Sequence, residues 1–465
     1  MNCAELQRWH HGRAWLTNAI LCALGAGLLW LAHDFCREHT HFRIGFSGAS
    51  GFSNCLYVAA IVIVLTQPVN RATLWIVLAF AAAFQIITLH AAPFLSSDIY
   101  RYVWDGIVQH AHISPYRYVP GDPALRLLQQ RHPEIYSNIN RKEYAHTIYP
   151  PVAQMIYWLV TLVSQSVRAM KIAMFGFECI AAAALIALLR RMGRRPTDIL
   201  LFAWCPLLVW EIGGAGHVDA VILAFVSLAL LFRYRERPIL TGLFLGLAVM
   251  TKFYPLVLLP ALWRRGDWKM PATLAAVCAV GYAIYASAGK LVFGFLGGYA
   301  VEEGLDSGTR YFLLDYANRV PRLRWLDKTE YIVFCAAVFA GITLWAWRHA
   351  SIERLGDSVK VQHPAFVRAS MMFALALMLL FSPHYPWYIA WLIPLLAISP
   401  NWIAITYVCA FFYGFTTQWA DPGPKMFVLN RWIYFAVACA FVVQILWTQT
   451  KLARRFDCRG QADAV

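Results

Sequence analysis

The stretch SSDIYRYVWDG (Ser96–Gly106) sets two carboxylates, Asp98 and Asp105, seven residues apart with Arg101 between them. On a helix that spacing brings all three to one face. Tyr100, Tyr102 and Trp104 are interleaved with them. The stretch directly follows a long apolar run, so an acid here is placed to take a proton from a reactant at a bilayer surface. Asp98 stands nearest the end of that run and is the candidate base. A juxtamembrane helix with an aromatic belt would carry the same residue types.

Three further polar clusters interrupt apolar runs. In EIGGAGHVDA (Glu211–Ala220), Glu211, His217 and Asp219 surround three glycines that permit an unusual turn. Ionisable groups at membrane depth are costly and mark functional sites. In MTKFYP, Lys252 and Tyr254 precede Pro255, which breaks a helix. The lysine suits either a phosphate, as a compact point charge, or headgroups reached by snorkelling. In SPHYPWYIAW (Ser382–Trp391), His384 and its aromatic neighbours suit an aromatic belt or the rim of a sugar-binding cleft. Tyr116 and Tyr149 lie in a proline-rich loop over 93–150, too long for a plain connection. A mixed-charge loop over 289–329, with Glu302, Glu303, Asp306, Arg310, Asp315 and Arg319, is expected to cap a cavity.

The elements that must position these residues are membrane helices. The chain has 465 residues, 60% of them hydrophobic and 14% charged, with 19 tryptophans. That composition excludes an ordinary soluble protein and implies an all-α integral membrane bundle. Apolar runs at roughly 14–32, 53–68, 72–92, 171–189, 198–213, 218–232, 239–263, 270–288, 330–347, 366–382, 386–399, 401–417 and 431–448 suggest about 12–14 spans. One membrane-embedded domain over 1–465 is expected, without a separate soluble domain or a cleavable signal. The net charge of +15 comes largely from short basic loops: RRMGRRP (190–196), RYRERP (233–238), RRGDWK (264–269) and the tail KLARR (451–455). Such loops fix the cytoplasmic side, so nucleic acid is not an expected partner. The eleven cysteines are scattered and predict neither a disulfide nor a zinc site.

With the basic loops and the N-terminus inside, 93–150, 213–218, 289–329 and 418–430 face outward. Parity then requires 152–165 to be re-entrant or interfacial, and 239–263 to go out and back with a break at Thr251–Pro255. Irregular backbone at membrane depth is tolerated where it lines a cavity. A cavity on the outer side is therefore expected.

The segments SSDIYRYVWDGIVQHAHISPYRY, TIYPPVAQ, PLLVWEIGGAGHVDA, GLAVMTKFYPLVLLPAL and FSPHYPWYIAWLIPLL occur in order between 96 and 397. Together they resemble the polyprenol-phosphate-mannose-dependent alpha-(1→6)-mannopyranosyltransferase-like family. These are bacterial membrane glycosyltransferases of the GT-C type, distantly similar to the eukaryotic GPI mannosyltransferases. The resemblance implies a multi-span bundle in the bacterial plasma (inner) membrane with an extracytoplasmic active site. It also implies a donor sugar carried on polyprenyl phosphate, and Asp98 as the catalytic carboxylate. Ser114 stands where the family usually has asparagine, and Ile107 where an arginine is usual. SSD is not the Asp-x-Asp pair of some GT-C relatives, so a divalent metal (Mg or Mn) stays an open question; no other cofactor is expected.

Residues and resemblance converge on inverting transfer of a sugar, most simply mannose, to an acceptor hydroxyl on a lipid or glycan. Asp98 would be the base, and Lys252, His217 and Arg101 would face the phosphate. Asp219 and Asp105 would orient His217 and Arg101. Tyr254 and His384 would help to bind the donor, with Tyr100, Tyr102, Trp104, Tyr116, Tyr149 and Glu211 in support. A secondary transporter or flippase is the alternative; it requires polar groups near the midplane and repeat symmetry. Here the polar groups gather at one face and no repeat is visible. A scaffold that only binds lipid-linked glycan would not need Asp98.

Overall fold

The computed structural model describes residues 3–38, 45–93, 95–355, 364–420 and 426–449. Every regular element among them is helical. Six helices are long and apolar enough to cross a bilayer: Arg13–Cys36, Gly45–Thr66, Arg71–Leu89, Val167–Arg191, Lys328–His349 and Val428–Leu446. Two bent pairs raise the number to eight if each is one span: Pro196–Ala203 with Pro206–Gly214, at 55°, and Lys269–Ile284 with Ala286–Glu302, at 112°. The remaining apolar runs form shorter helices, among them Pro151–Val163, Pro238–Val249, Ala365–Phe381, Pro386–Ile398 and Trp402–Thr417. The chain is an integral membrane protein with a polytopic helical fold.

One end of the bundle gathers the basic loops. The Arg194 guanidinium donates to the Ile398 carbonyl at 3.0 Å and Arg195 to Leu65 at 3.2 Å. The Tyr234 hydroxyl donates to the Arg191 carbonyl at 3.0 Å. The basic tail at 451–455 lies outside the described residues.

The segment 239–263 does turn back on itself. Arg233 donates to the Leu262 carbonyl at 2.7 Å, and Arg264 pairs with Glu236, so its two ends meet. Its outgoing limb, Pro238–Val249, has 12 residues and is about 18 Å long, too short to span the hydrocarbon core. The limb ends before Pro255, whose ring and missing N–H cannot continue a helix. At the tip, the Met250 carbonyl freed by the break accepts from the Val152 N–H at 3.0 Å. The tip is thereby tied to Pro151–Val163, a 13-residue helix that is also too short to cross.

Close packing supports the hairpin. Gly242 and Gly246 lie one turn apart against the Lys269–Ile284 helix, where small residues let backbones approach. A Cβ at Gly242 would lie 2.2 Å from the Met270 carbonyl oxygen. Lys171 fixes the entry to the first loop: its ammonium donates to the Thr88 and Ala91 carbonyls at 3.2 and 2.6 Å, capping the Arg71–Leu89 helix. Gly216, at φ +72°, sits so close to Ile99 that a Cβ would meet its Cδ1 at 2.3 Å.

Gly242→Ala is therefore expected to destabilise the purified protein by about 1–3 kcal/mol through overpacking. Gly176→Ala, whose Cβ meets nothing within 4 Å, serves as control. The measurement is the thermal unfolding midpoint in detergent; equal midpoints for both variants would refute the close-packing argument.

Candidate active site

Asp98 opens the helix Asp98–His110 and is half-buried at the wall of a cavity of ≈ 440 Å³. Asn140 donates to its Oδ1 at 2.9 Å, and the Tyr149 hydroxyl lies 3.3 Å from its Oδ2. Both partners come from the far end of the first loop, whose fold is held by the Tyr116 hydroxyl donating to the Tyr149 carbonyl at 2.8 Å. Burial, and then the Asp98 charge, push the Tyr149 phenol well above its ordinary range, so it stays a neutral donor. Tyr102 is raised in the same way, by burial first.

Three cations share this cavity with Asp98: Arg101, Arg141 and Lys252. Arg101 pairs with Asp105 at 2.8 Å, four residues on, and donates to the Ala145 carbonyl at 3.0 Å. The Asp98–Arg101–Asp105 face thus holds an Arg101–Asp105 pair, while Asp98 is bonded from the loop. Gln154 occupies the other Asp105 oxygen at 2.8 Å. Lys252, at the hairpin tip, donates to Asp219 Oδ2 at 2.5 Å, and the Tyr254 hydroxyl donates to Oδ1 at 2.5 Å. The Lys252 ammonium also lies 5.3 Å from the centroid of the Tyr388 ring.

One expected pairing and three expected placements are corrected. Asp219 holds Lys252 and Tyr254, not His217, because the hairpin tip reaches Asp219 first. His217 does not line the cavity: it is buried, and Trp387 stacks on it at 4.2 Å between it and the Tyr385 ring. The imidazole instead meets the Tyr102 hydroxyl at 3.4 Å (Nδ1) and Glu211 Oε2 at 3.2 Å (Nε2), the latter off the line of a ring N–H bond. Tyr254 is likewise set back behind Asp219. His384 pairs with Glu303 at 3.3 Å, outside the cavity lining. Burial pushes the Glu303 carboxyl up, but the His384 hydrogen bond and the Arg310 guanidinium more than offset this and hold it below the usual range. Trp104 is fully buried against Tyr136, a packing position. Tyr100 lines the cavity.

Sequence reasoning missed Asn140 and Arg141, and it did not separate Tyr299 from its loop. The signal for the first two was present in NRKEYAHTIYPP, but nothing local says that a loop asparagine reaches back 42 residues to a carboxylate. The 289–329 loop does close over the cavity: Phe295 and Tyr299 line it, and Glu302 accepts from Arg141 at 2.7 Å and from Tyr144 at 3.0 Å. Among the described residues no group of three or more His, Cys, Asp or Glu side chains is arranged to hold a metal ion.

One cavity of a membrane bundle thus joins an acid, a fixed lysine and stacked aromatics; the class of protein follows from the families the chain matches. Residues 6–264 match the family description Alpha-(1->6)-mannopyranosyltransferase, N-terminal domain, and residues 147–383 match Glycosyltransferase family 87. The chain belongs to the alpha-(1→6)-mannopyranosyltransferase family of GT-C-type glycosyltransferases, as the five ordered segments indicate. No curated protein and no solved structure matches it.

Glu302→Ala should free the covering loop. Hydrogen–deuterium exchange over 286–303 is expected to rise while the unfolding midpoint shifts little, since a half-exposed ion pair contributes about 0–1 kcal/mol. Unchanged exchange there would show that the loop is held by other contacts.

Proposed function

We propose that the chain transfers mannose, with inversion, from a polyprenyl-phosphate donor to an acceptor hydroxyl at the extracytoplasmic face of the bacterial plasma membrane. One observation carries the reading: the Asp98 carboxylate, bonded among the described residues only by neutral donors, shares a cavity with Lys252 and Arg101. The site lies away from the end that gathers the basic loops, which supports an extracytoplasmic orientation.

In the proposed step, the acceptor oxygen attacks the anomeric carbon and gives its proton to Asp98. The bond from that carbon to the phosphate oxygen breaks, and its electron pair leaves with the phosphate. Polyprenyl phosphate is thereby released as a monoester with one more ionisable oxygen. Cations fixed before the reaction stabilise that growing charge without reorganising. Lys252 is so fixed, because buried Asp219 holds it from behind. Arg101, held by Asp105, is the second; Arg141 takes the place expected for His217. An ordinary aspartate, with a pKa of about 3.9, is a weak base, so positioning must supply much of the acceleration. The aromatic wall of Tyr385, Trp387, Tyr388 and Tyr299 suits the apolar face of a sugar. If a divalent ion takes part, the cavity's acidic wall residue, Asp98, is the group that would face it.

The test uses purified protein in nanodiscs with polyprenyl-phosphate mannose and membrane-lipid extract. Wild type should release polyprenyl phosphate, and Asp98→Asn should lose about a hundredfold or more of that rate. Lys252→Met should also lose rate, with the loss shared between kcat and donor KM. Equal release by wild type and Asp98→Asn would refute the assignment of the base. Turnover only with a nucleotide sugar would refute the donor class.

A further inference from the structure

Asn140 and Arg141 are adjacent in the first loop, yet their side chains serve different partners. Asn140 donates one amide hydrogen to Asp98 Oδ1 at 2.9 Å and the other to the Ser97 hydroxyl at 3.1 Å. An ionised carboxylate can only accept, so the amide nitrogen must face Asp98, and both of its hydrogens are committed. Arg141 instead donates to Glu302 of the covering loop at 2.7 Å. The backbone at Arg141 has φ +52°, in the left-handed region that residues with a Cβ rarely adopt. Such a conformation persists only where its surroundings hold it, and it is found at active sites and ligand clamps.

The covering loop supplies part of that hold through the short helix Leu296–Glu302 and the residues just before it. Glu302 accepts from Arg141 and also from the Tyr144 hydroxyl at 3.0 Å. The Phe295 ring meets the Tyr144 ring at 5.6 Å, and the Arg141 guanidinium lies 5.9 Å from the centroid of the Tyr299 ring. Gly294 packs on the Thr147 carbonyl, where a Cβ would clash. Within the turn itself, the Arg141 carbonyl accepts from the Tyr144 and Ala145 N–H groups at 3.3 and 3.0 Å. Ile139 and Ala145 are buried on either side of it. The segment that carries Asn140 to the base is thus the segment on which the covering loop rests.

We propose that Asn140 is a positioning residue for Asp98, and that the covering loop holds it in register through Arg141, so that the base is aligned while the cavity is covered. With the loop lifted, Arg141 loses Glu302 and the Tyr299 ring, and the left-handed turn loses support. Asn140 then leaves Asp98 Oδ1 free to rotate, and only Tyr149 still holds the carboxylate. An uncovered cavity admits water, and a misaligned base activates water poorly, so the donor is spared hydrolysis until the loop closes. The inference rests on Asp98 being the base.

Three readouts test it in full-length protein in nanodiscs. With polyprenyl-phosphate mannose, Asn140→Ala should lose about tenfold or more in kcat. Glu302→Ala should lose about threefold or more alone, but less than about twofold when residue 140 is already alanine, because it acts through Asn140. The pH profile of kcat separates this from a direct charge effect. Asp98 must be ionised to act, so the rate falls on the acid side; losing the amide donor disfavours the ionised form and moves that limb to higher pH in both variants. Deleting the Glu302 charge by itself would move it to lower pH. Arg101, Arg141, Lys252, His146, Tyr149 and Tyr385 also face the cavity and are the same in every variant. Asn140→Asp keeps the shape but sets a second carboxylate against the first. It should move the limb up by about one pH unit or more, and it serves in both kinetic tests if the alanine variant does not fold. Hydrogen exchange at the Tyr144 and Ala145 amides should rise in Glu302→Ala. Additive losses, a limb in Glu302→Ala that stays or moves down, or unchanged exchange at those amides would overturn the inference. Should Asp98→Asn turn over at the wild-type rate, the assignment of the base fails instead. The exchange measurement still reports the link from covering loop to turn separately.

Discussion

A carboxylate buried in a membrane bundle must be matched, and Asp219 is matched twice. Lys252 and Tyr254 both donate to it from the tip of the hairpin, at the break before Pro255. Leaving either charge without the other would cost about 3–5 kcal/mol, so neither can be built without its partner. This pairing sets the depth of the hairpin tip, and the tip in turn holds the start of Pro151–Val163 through the Met250 carbonyl. That helix carries Gln154 to Asp105, and so steadies Arg101. One buried ion pair therefore helps to fix two of the three cavity cations, Lys252 and Arg101, relative to each other.

The broken helices follow from the same constraint. A continuous helix pairs its own backbone and leaves no polar group to point at a substrate. Each interruption, at Gly214–Asp219, at Met250–Pro255 and at Ser382–Pro386, frees backbone groups and turns side chains into the interior. Some freed groups are re-paired across the bundle, as the Met250 carbonyl is by the Val152 N–H, and the breaks also pack on neighbouring elements. Gly216 admits Ile99 at the root of the Asp98 helix, and Trp387 covers His217. The site is the place where the breaks satisfy one another.

Much of this was legible in the sequence because the membrane leaves few options. Hydropathy and basic loops gave the bundle and its two ends, and parity demanded the 239–263 hairpin before any coordinates. Pro255 and the Gly213–Gly216 cluster marked two breaks by chemistry alone. Pairing was less legible. Asp219 and His217 are two apart in sequence, and proximity favoured joining them, whereas the structure pairs each across the bundle. The same limit hid Asn140: a loop asparagine carries no periodicity, and its meaning depends on a contact far along the chain. His384 showed the converse failure, since a histidine in an aromatic run reads as a ligand until the charged partner that occupies it, Glu303, is seen.

Three aspartates lie in or near the cavity, and their partners separate their roles. Asp105 accepts from the Arg101 guanidinium on one oxygen and from Gln154 on the other. Asp219 accepts from an ammonium and a phenol, with both oxygens taken. A carboxylate paired with a cation has its charge already matched and lies against its partner rather than open to a reactant. Such a group anchors a cation well and serves poorly as a base. Among the described residues Asp98 accepts only from a neutral amide and a neutral phenol, and it is half-buried at the cavity wall. It alone keeps both a lone pair that can be reached and a charge that is not neutralised. The distinction does not depend on distance along the sequence or on the residue type, which all three share. It depends on which neighbours the fold gives each carboxylate, and the fold gives the cations to the two that must not react.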